Sequence, residues 1–267
     1  MLEPYKAGPD VYVLPTDVSI PGVGHLPVNA FVLLAEQPVL IDSGLGIDAK
    51  EFLSAVESIL RPEDLRWIWL THDDADHTGN IQKAMEAAPH ARLVTHAFAA
   101  MRMVSWWPLP MDRVYAIRPG DELDVGDRVL RAVAPPVFDN PMSTGIFDTS
   151  AGTLFSVDAF GAMLPELTEN ADEIPEEILT QGMVAWGVSD SPWTRLVDTE
   201  RFEAELAVLA ELEPSRILSS HPPAAGANMA RFLDVLRSLP GVEPELPPDH
   251  VAFSEMLAMM AGEGNNS

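Results

Sequence analysis

The chain has 267 residues, of which 41 are acidic and 16 basic, so its formal net charge at pH 7 is -25. This charge repels phosphate backbones, and we expect no binding to nucleic acid. The absence of cysteine excludes disulfides, thiolate ligands and a thiol nucleophile, which leaves oxygen and imidazole donors for any metal chemistry.

The length favours a single domain over residues 1–267, because no linker or low-complexity run divides the chain. Residues 1–6 have neither the basic nor the apolar segment of an export signal. No stretch approaches the ~20 apolar residues needed to cross a bilayer. We therefore expect a cytoplasmic protein without membrane contact.

The predicted strands and helices alternate along the chain. Strands are predicted from short apolar, β-friendly segments, and helices from longer segments with apolar residues at helical spacing. The predicted strands are 10–14, 29–35, 39–41, 67–71, 128–133, 144–148, 153–157 and 216–219. The predicted helices are 49–60, 80–87, 175–185, 199–212, 227–238 and 249–261. Such alternation is typical of an α/β fold.

The sequence His-Asp-Asp-Ala-Asp-His directly follows the apolar strand that begins at Trp67. Metal-ligating side chains therefore lie where a buried strand ends. Because side chains alternate along an extended chain, we expect His72, Asp74 and Asp76 to project together while Asp73 points away. One imidazole and two carboxylates would then converge.

Three more ionisable residues follow predicted strands. Asp139 lies in Pro-Val-Phe-Asp-Asn-Pro, Asp158 follows Leu-Phe-Ser-Val, and His221 follows Ile-Leu-Ser-Ser. Loops at the ends of rigid strands are common places for functional groups. An isolated aspartate at a strand end often only caps a helix or a turn, but several such groups indicate a common site.

The order and spacing of these groups resemble the metallo-β-lactamase superfamily. Its hydrolases carry His-x-His-x-Asp-His, then a histidine, a bridging aspartate and a last histidine. The resemblance covers nearly the whole chain and includes the early turn at Asp42, which is a support element in that superfamily. It implies a four-layered αββα metallo-β-lactamase-like sandwich.

Within the superfamily, the chain is most similar to the flavodiiron and oxygen-binding diiron branch. That branch has a carboxylate where this chain has Asp74, and its bridging-aspartate segment resembles the one around Asp158. Asp139, however, lines up with a histidine of the branch. The resemblance implies one ion at His72, Asp74 and Asp139, a second at Asp76 and His221, and Asp158 bridging the two.

The resemblance implies two iron ions as cofactors, with zinc or manganese as alternatives, since hard anionic donors suit iron and manganese. The leading hypothesis is a diiron protein that interacts with dioxygen, as a sensor or as an oxidoreductase. Because no flavodoxin segment is recognised in these residues, electrons would come from a separate electron-transfer protein.

Two other functions remain open. One is a metal-dependent hydrolase of small esters, lactones or thioesters that uses a metal-bound hydroxide. The other is a single-metal or non-catalytic descendant, which is suggested by the aspartate at position 139.

Two histidines are candidate catalytic residues. His77 either joins the second metal or hydrogen-bonds a ligating carboxylate. His25 is expected in a glycine-rich loop over residues 21–27, where it would gate the pocket or donate a proton. By resemblance only, the chain is expected to form a homodimer.

Overall fold

Two β-sheets face each other, and α-helices cover their outer sides. The structure is a computed structural model that describes residues 1–20, 24–244 and 248–263. Within these ranges the first sheet contains, side by side, β1 (Tyr5–Lys6), β2 (Val11–Ile20), β3 (Gly24–Leu33), β4 (Val39–Ile41), β5 (Trp67–Trp69), β6 (Arg92–Thr95) and β7 (Val114–Ala116). From β4 to β7 the strands are parallel.

The second sheet has the spatial order β12-β11-β10-β9-β8. In the described part of the chain its strands are β8 (Glu122–Asp124), β9 (Val129–Val133), β10 (Gly145–Asp148), β11 (Thr153–Phe155) and β12 (Arg216–Leu218). The pair β11 and β12 is parallel.

The helices form two groups along the chain. Those that follow strands of the first sheet are α1 (Ala49–Ile59), α2 (Ala75–Thr78), α3 (Ile81–Ala87) and α4 (Ala97–Met103). Those of the second half are α5 (Glu176–Asp190), α6 (Thr199–Ala210), α7 (Met229–Arg237) and α8 (His250–Glu263). None of these helices combines the length and apolar character that a membrane span requires.

Alternate residues of the first sheet pack into different layers. Leu40 and Ile68 lie with Phe52 of α1 in an outer core, whereas Ile41 and Trp69 lie in the core between the sheets. This separation follows from the two-residue period of a strand. Each of these strands is therefore apolar on both faces, which explains the continuous apolar runs in the sequence.

The second sheet is also covered on both faces. Leu154 and Ile217 pack with Leu179 of α5 and Phe232 of α7 in the other outer core. The next residue of β11, Phe155, belongs to the core between the sheets. Helix, sheet, sheet and helix thus form the predicted αββα sandwich, and the fold prediction is confirmed.

The structure extends the predicted strands β2 and β3 and adds elements between residues 92 and 124. The added strands β6, β7 and β8 have only three or four residues. The equally short β4 and β11 are wholly buried, whereas β7 and β8 contain exposed residues, so their segments show no continuous apolar run. Sequence reasoning therefore missed the edge of the first sheet and the first strand of the second.

The candidate metal-binding motif, residues 72–77, is held against the end of the first sheet by a close backbone contact at Gly79, two residues after it. Its amide donates to the carbonyl of Gly44, with an N···O distance of 2.9 Å. A Cβ atom at Gly79 would lie 2.1 Å from the amide nitrogen of Gly46 and 2.4 Å from the carbonyl oxygen of Gly44. Only glycine allows this approach of one backbone to another.

We expect Gly79→Ala to lower the free energy of unfolding by about 1–3 kcal/mol, because the new methyl group must displace backbone. Chemical denaturation measures the loss. Gly46→Ala is the matched control on the other side of the contact, where a Cβ atom would be 3.1 Å from its nearest neighbour. Equal losses in the two variants would contradict this explanation.

Candidate metal centre

The metal-binding motif bends into a helical turn directly after the strand. The carbonyl of Asp74 accepts hydrogen bonds from the amides of His77 (3.1 Å) and Thr78 (2.9 Å), which starts α2. Asp76 therefore projects from a helical turn, and the predicted alternation of an extended chain is wrong beyond Asp74. The turn nevertheless returns the Asp76 carboxylate to the same cluster.

The first half of the cluster surrounds His72. Its Nε2 atom lies 3.7 Å from a carboxylate oxygen of Asp74 and 3.9 Å from one of Asp139. The Oδ2 atom of Asp158 is nearer still, at 3.3 Å. These side chains come from both sheets, so this half forms only where the sheets meet.

The second half of the cluster contains the imidazoles of His77 and His221, and both lie close to the carboxylates of Asp76 and Asp158. The Nε2 atoms of His77 and His221 each lie 3.4 Å from Asp76 Oδ2. They lie 3.3 Å and 3.1 Å from Asp158 Oδ1. Since Oδ2 of Asp158 faces His72, this one carboxylate has an oxygen in each half.

Each imidazole has its Nδ1 atom engaged outside the cluster. His77 Nδ1 lies 2.8 Å from Asp42 Oδ2, and His221 Nδ1 lies 2.8 Å from the carbonyl oxygen of Pro27. A hydrogen bond from Nδ1–H selects the tautomer whose Nε2 lone pair is free. Both Nε2 lone pairs therefore point into the cluster.

Asp42 holds this arrangement in place from the end of β4. Its oxygens accept hydrogen bonds from the amide and the hydroxyl of Thr71 (2.8 Å and 2.9 Å), besides the contact with His77. The Thr71 hydroxyl lies 3.2 Å from His72 Nδ1, so its free lone pair can accept from that ring. Asp42 thus holds His77 directly and His72 through Thr71, as expected for a support residue.

The donors are arranged as metal ligands would be. His77 Nε2 and Asp158 Oδ1 are both buried, and neither forms a bond with hydrogen-bonding geometry although they lie 3.3 Å apart. Donors about 2.1 Å from one ion lie roughly 3.0–3.4 Å from each other at tetrahedral or octahedral angles. The nitrogen and oxygen donors present therefore fit a pair of metal ions.

Charges in the cluster compensate one another. Burial alone would raise the pKa of Asp158, but the imidazoles of His72 and His77 outweigh it and hold that pKa well below its usual range. Burial and a hydrogen bond to Asp74 raise the pKa of Asp139 to about 8. A cation between the Asp139 and Asp74 carboxylates would favour their ionised forms.

Two supporting residues were missed in the sequence. Asn140 donates to Asp74 (2.8 Å) and to Asp73 (3.0 Å), and so attaches the loop of Asp139 to the motif. The Trp186 ring packs against His221, with ring centroids 4.6 Å apart and ring planes tilted by 45°. The sequence contained a signal for Asn140, because its amide directly follows the candidate ligand Asp139. It contained none for Trp186, which lies in α5, far from the candidate ligands along the chain.

His25 has a different environment from the other candidates. It lies in β3 and not in the expected loop, of which residues 21–23 are outside the described residues. Its Nδ1 atom lies 2.8 Å from Asp17 Oδ2. In the described part of the chain, His25 belongs to none of the residue triads that could hold an ion.

The fold and the cluster define a metallo-β-lactamase-like protein with a candidate dinuclear centre. A family model described as "ODP family beta lactamase" matches residues 26–184, and the chain belongs to this family. It is 28% identical to the anaerobic nitric oxide reductase flavorubredoxin of Salmonella arizonae over 171 residues, which are 63% of this chain and 36% of that protein. It is 23% identical to diflavin flavoprotein A 1 of Synechocystis over 134 residues, 50% of this chain and 23% of that protein. The chain thus spans well under half of these relatives.

Solved structures with a similar fold are flavodiiron cores. The rubredoxin oxygen:oxidoreductase of Desulfovibrio gigas has a TM-score of 0.76 at 20% identity, covering 89% of this chain and 61% of that one. A flavo di-iron protein variant from Thermotoga maritima has a TM-score of 0.76 at 21% identity, covering 89% and 62%. The predicted resemblance to the flavodiiron branch is therefore confirmed.

We expect Asp42→Asn to weaken metal binding about 10–100-fold, because His77 loses the anionic partner that orients its ring. Competition between the protein and a chromophoric chelator for zinc measures the affinity. Asp17→Asn is the matched control, since Asp17 also pairs with a histidine Nδ1 at 2.8 Å but outside the triads. A similar loss of affinity in both variants would show that the Asp42 contact is not specific to the site.

Proposed function

We propose that this chain holds two metal ions, preferentially iron, and that it interacts with dioxygen at them. The main support for the proposal is the position of the Asp158 carboxylate, because one of its oxygens faces His72 and the other faces His77 and His221. A buried carboxylate of this kind suits a bridge between two cations. The proposed ligands are His72, Asp74 and Asp139 for one ion and Asp76, His77 and His221 for the other.

The preference for iron rests on the donor set. Four carboxylates among the ligands offset the +4 charge of two divalent ions. Zinc centres for hydrolysis keep net positive charge and so lower the pKa of bound water to about 7. An oxygen-rich, neutralised centre does this less well, and hard anionic donors suit iron or manganese.

The relatives support dioxygen as the small molecule. Rubredoxin oxygen:oxidoreductase acts on oxygen by its name, and the flavorubredoxin is named a nitric oxide reductase. When bound, ferrous ions supply electrons and open coordination positions to such diatomic molecules. The chain itself would hold the ions, orient their imidazoles through Asp42 and Pro27, and exclude bulk water by burial of the ligands. A separate electron-transfer protein would complete an oxidoreductase, whereas a sensor needs none.

His25 is proposed as a rim residue that gates access. Residues 25, 27 and 29 share one face of β3. Two of them contact the loop of His221, since the Pro27 carbonyl accepts from His221 and the Asn29 amide donates to the carbonyl of Pro222 (2.8 Å). His25 therefore lies in the strand that borders the loop of His221, two residues before Pro27.

Anaerobic loading with ferrous iron tests the proposal. We expect two irons per chain by metal analysis, and a visible absorption band that changes when dioxygen is admitted. With a chemical reductant present, an oxidoreductase would also consume dioxygen continuously, and a sensor would not. Chelator-treated protein is the control and should show neither band nor consumption.

The alternatives predict different results. Two tightly bound zinc ions, together with cleavage of small esters, lactones or thioesters and no response to dioxygen, would establish a hydrolase. Fewer than two metals per chain under saturating conditions would indicate a single-metal or non-catalytic descendant.

The proposed site for the first ion, at His72 and Asp74, needs Asp139 as its third ligand. We expect Asp139→Ala to reduce the metal content from two ions towards one, because His72 and Asp74 alone leave that ion with too few protein ligands beside Asp158. Asp139→His, which restores a ligand and removes a negative charge, should bind at least as much metal as the natural protein. Metal analysis after gel filtration distinguishes them, and an unchanged content in Asp139→Ala would remove Asp139 from the ligand set.

A further inference from the structure

Helix α5 packs closely against the segment that follows Asp158. The amide of Met163 donates to the carbonyl of Gly182 in this helix (3.2 Å). A Cβ atom at Gly182 would lie 2.2 Å from the carbonyl oxygen of Met163, and one at Gly161 would lie 2.3 Å from Nε1 of Trp186. Glycine at both positions therefore lets the helix and its indole approach the backbone of this segment directly.

The indole of Trp186 contacts two candidate ligands at once. Its ring packs against the imidazole of His221, with ring centroids 4.6 Å apart. Its Nε1 atom donates to the carbonyl oxygen of Asp158 (3.3 Å). These two ligands follow different strands, β12 and β11, and His221 Nε2 lies 3.1 Å from Asp158 Oδ1. Trp186 therefore joins the two loops whose ligands would share an ion.

A second tryptophan, shortly after the end of α5, acts on the other half of the cluster. Trp193 donates from Nε1 to the carbonyl oxygen of Phe138 (2.7 Å), and the two rings have centroids 4.9 Å apart. Phe138 directly precedes Asp139, and on the other side Asn140 donates to Asp74. Asp139 itself is exposed, so its position depends on the contacts of these two neighbours.

We propose that the two tryptophans form a clamp on the metal centre, in which Trp186 sets the affinity for the ion at His221 and Trp193 sets the affinity for the ion at Asp139. The inference rests on the two-metal centre proposed above. Both tryptophans are positioning residues, since an indole has only an N–H donor to offer and no lone pair for an ion.

The effect on affinity follows from the cost of ordering the ligands. A ligand that is already held in its binding position loses little conformational freedom when an ion binds, whereas a loose ligand must be ordered at the expense of affinity. Because each tryptophan holds ligands of a different half, removal of one contact should weaken one ion and leave the other unchanged.

Competition between the protein and a chromophoric chelator for zinc tests the clamp without redox chemistry. Trp186→Leu and Trp193→Leu should each weaken one of the two zinc ions about 10–100-fold, the range for loss of a partner that orients a ligand. Trp186→Phe keeps a ring against His221 and should lose less. Gly161→Ala, which displaces the indole without removing it, should reproduce the loss. The same change to leucine at Trp106, which is half exposed, is the matched control and should leave both affinities unchanged.

A double-mutant cycle with Asp139→Ala assigns each tryptophan to its ion. Asp139→Ala removes the first ion, so the addition of Trp193→Leu should cause no further loss of zinc affinity. Trp186→Leu in the same background should weaken the remaining ion as much as it does in the natural protein. Equal effects of the two tryptophans on the remaining ion, or unchanged affinities in both single variants, overturn the clamp.

The zinc measurements separate the clamp from the proposed chemistry. If the affinities follow this pattern and the iron-loaded protein does not respond to dioxygen, the proposed function fails while the clamp stands. If the iron-loaded protein responds and the affinities do not change in either variant, the clamp fails alone. Natural protein that holds fewer than two ions overturns both. Circular dichroism checks the folding of each metal-free variant. Where a leucine variant does not fold, the phenylalanine variant at the same position, which loses only the indole N–H donor, decides in its place.

Discussion

A buried carboxylate at the contact between the two sheets is the constraint on which the site depends. Asp158 is 3% exposed, and its oxygens lie within 3.3 Å of three imidazole nitrogens. An isolated charge in such a position is costly unless other charges and polar groups compensate it. The imidazoles provide that compensation, and each in turn is held by an acceptor outside the cluster.

This organisation also explains why the aspartates of this chain matter. At position 139 a carboxylate stands where the resembled family has a histidine. Two cations held by these residues would keep less net positive charge than at a histidine-rich site, and it is net positive charge that activates bound water for hydrolysis.

The interior strands and most of the helices could be predicted from the sequence, because their apolar residues recur with the period of their secondary structure. The strands β6, β7 and β8 could not, since each contains exposed or polar residues and so lacks the continuous apolar run that marks equally short strands such as β4. The turn α2 was missed for a related reason. Its helical shape comes from hydrogen bonds to the Asp74 carbonyl, and in the sequence it is indistinguishable from the continuation of a strand.

The amino-acid sequence by itself determined the fold class and the identity of the candidate ligands, because several polar groups that each directly follow a buried apolar run together indicate one site, although one alone would not. Only the tertiary structure decided how these groups divide into two halves around Asp158 and which acceptor holds each imidazole. Those relations join residues that are far apart in the chain, such as Asp42 with His77 and Pro27 with His221. These contacts depend on how the two sheets pack against each other, and the pattern of residues along the chain does not specify that packing.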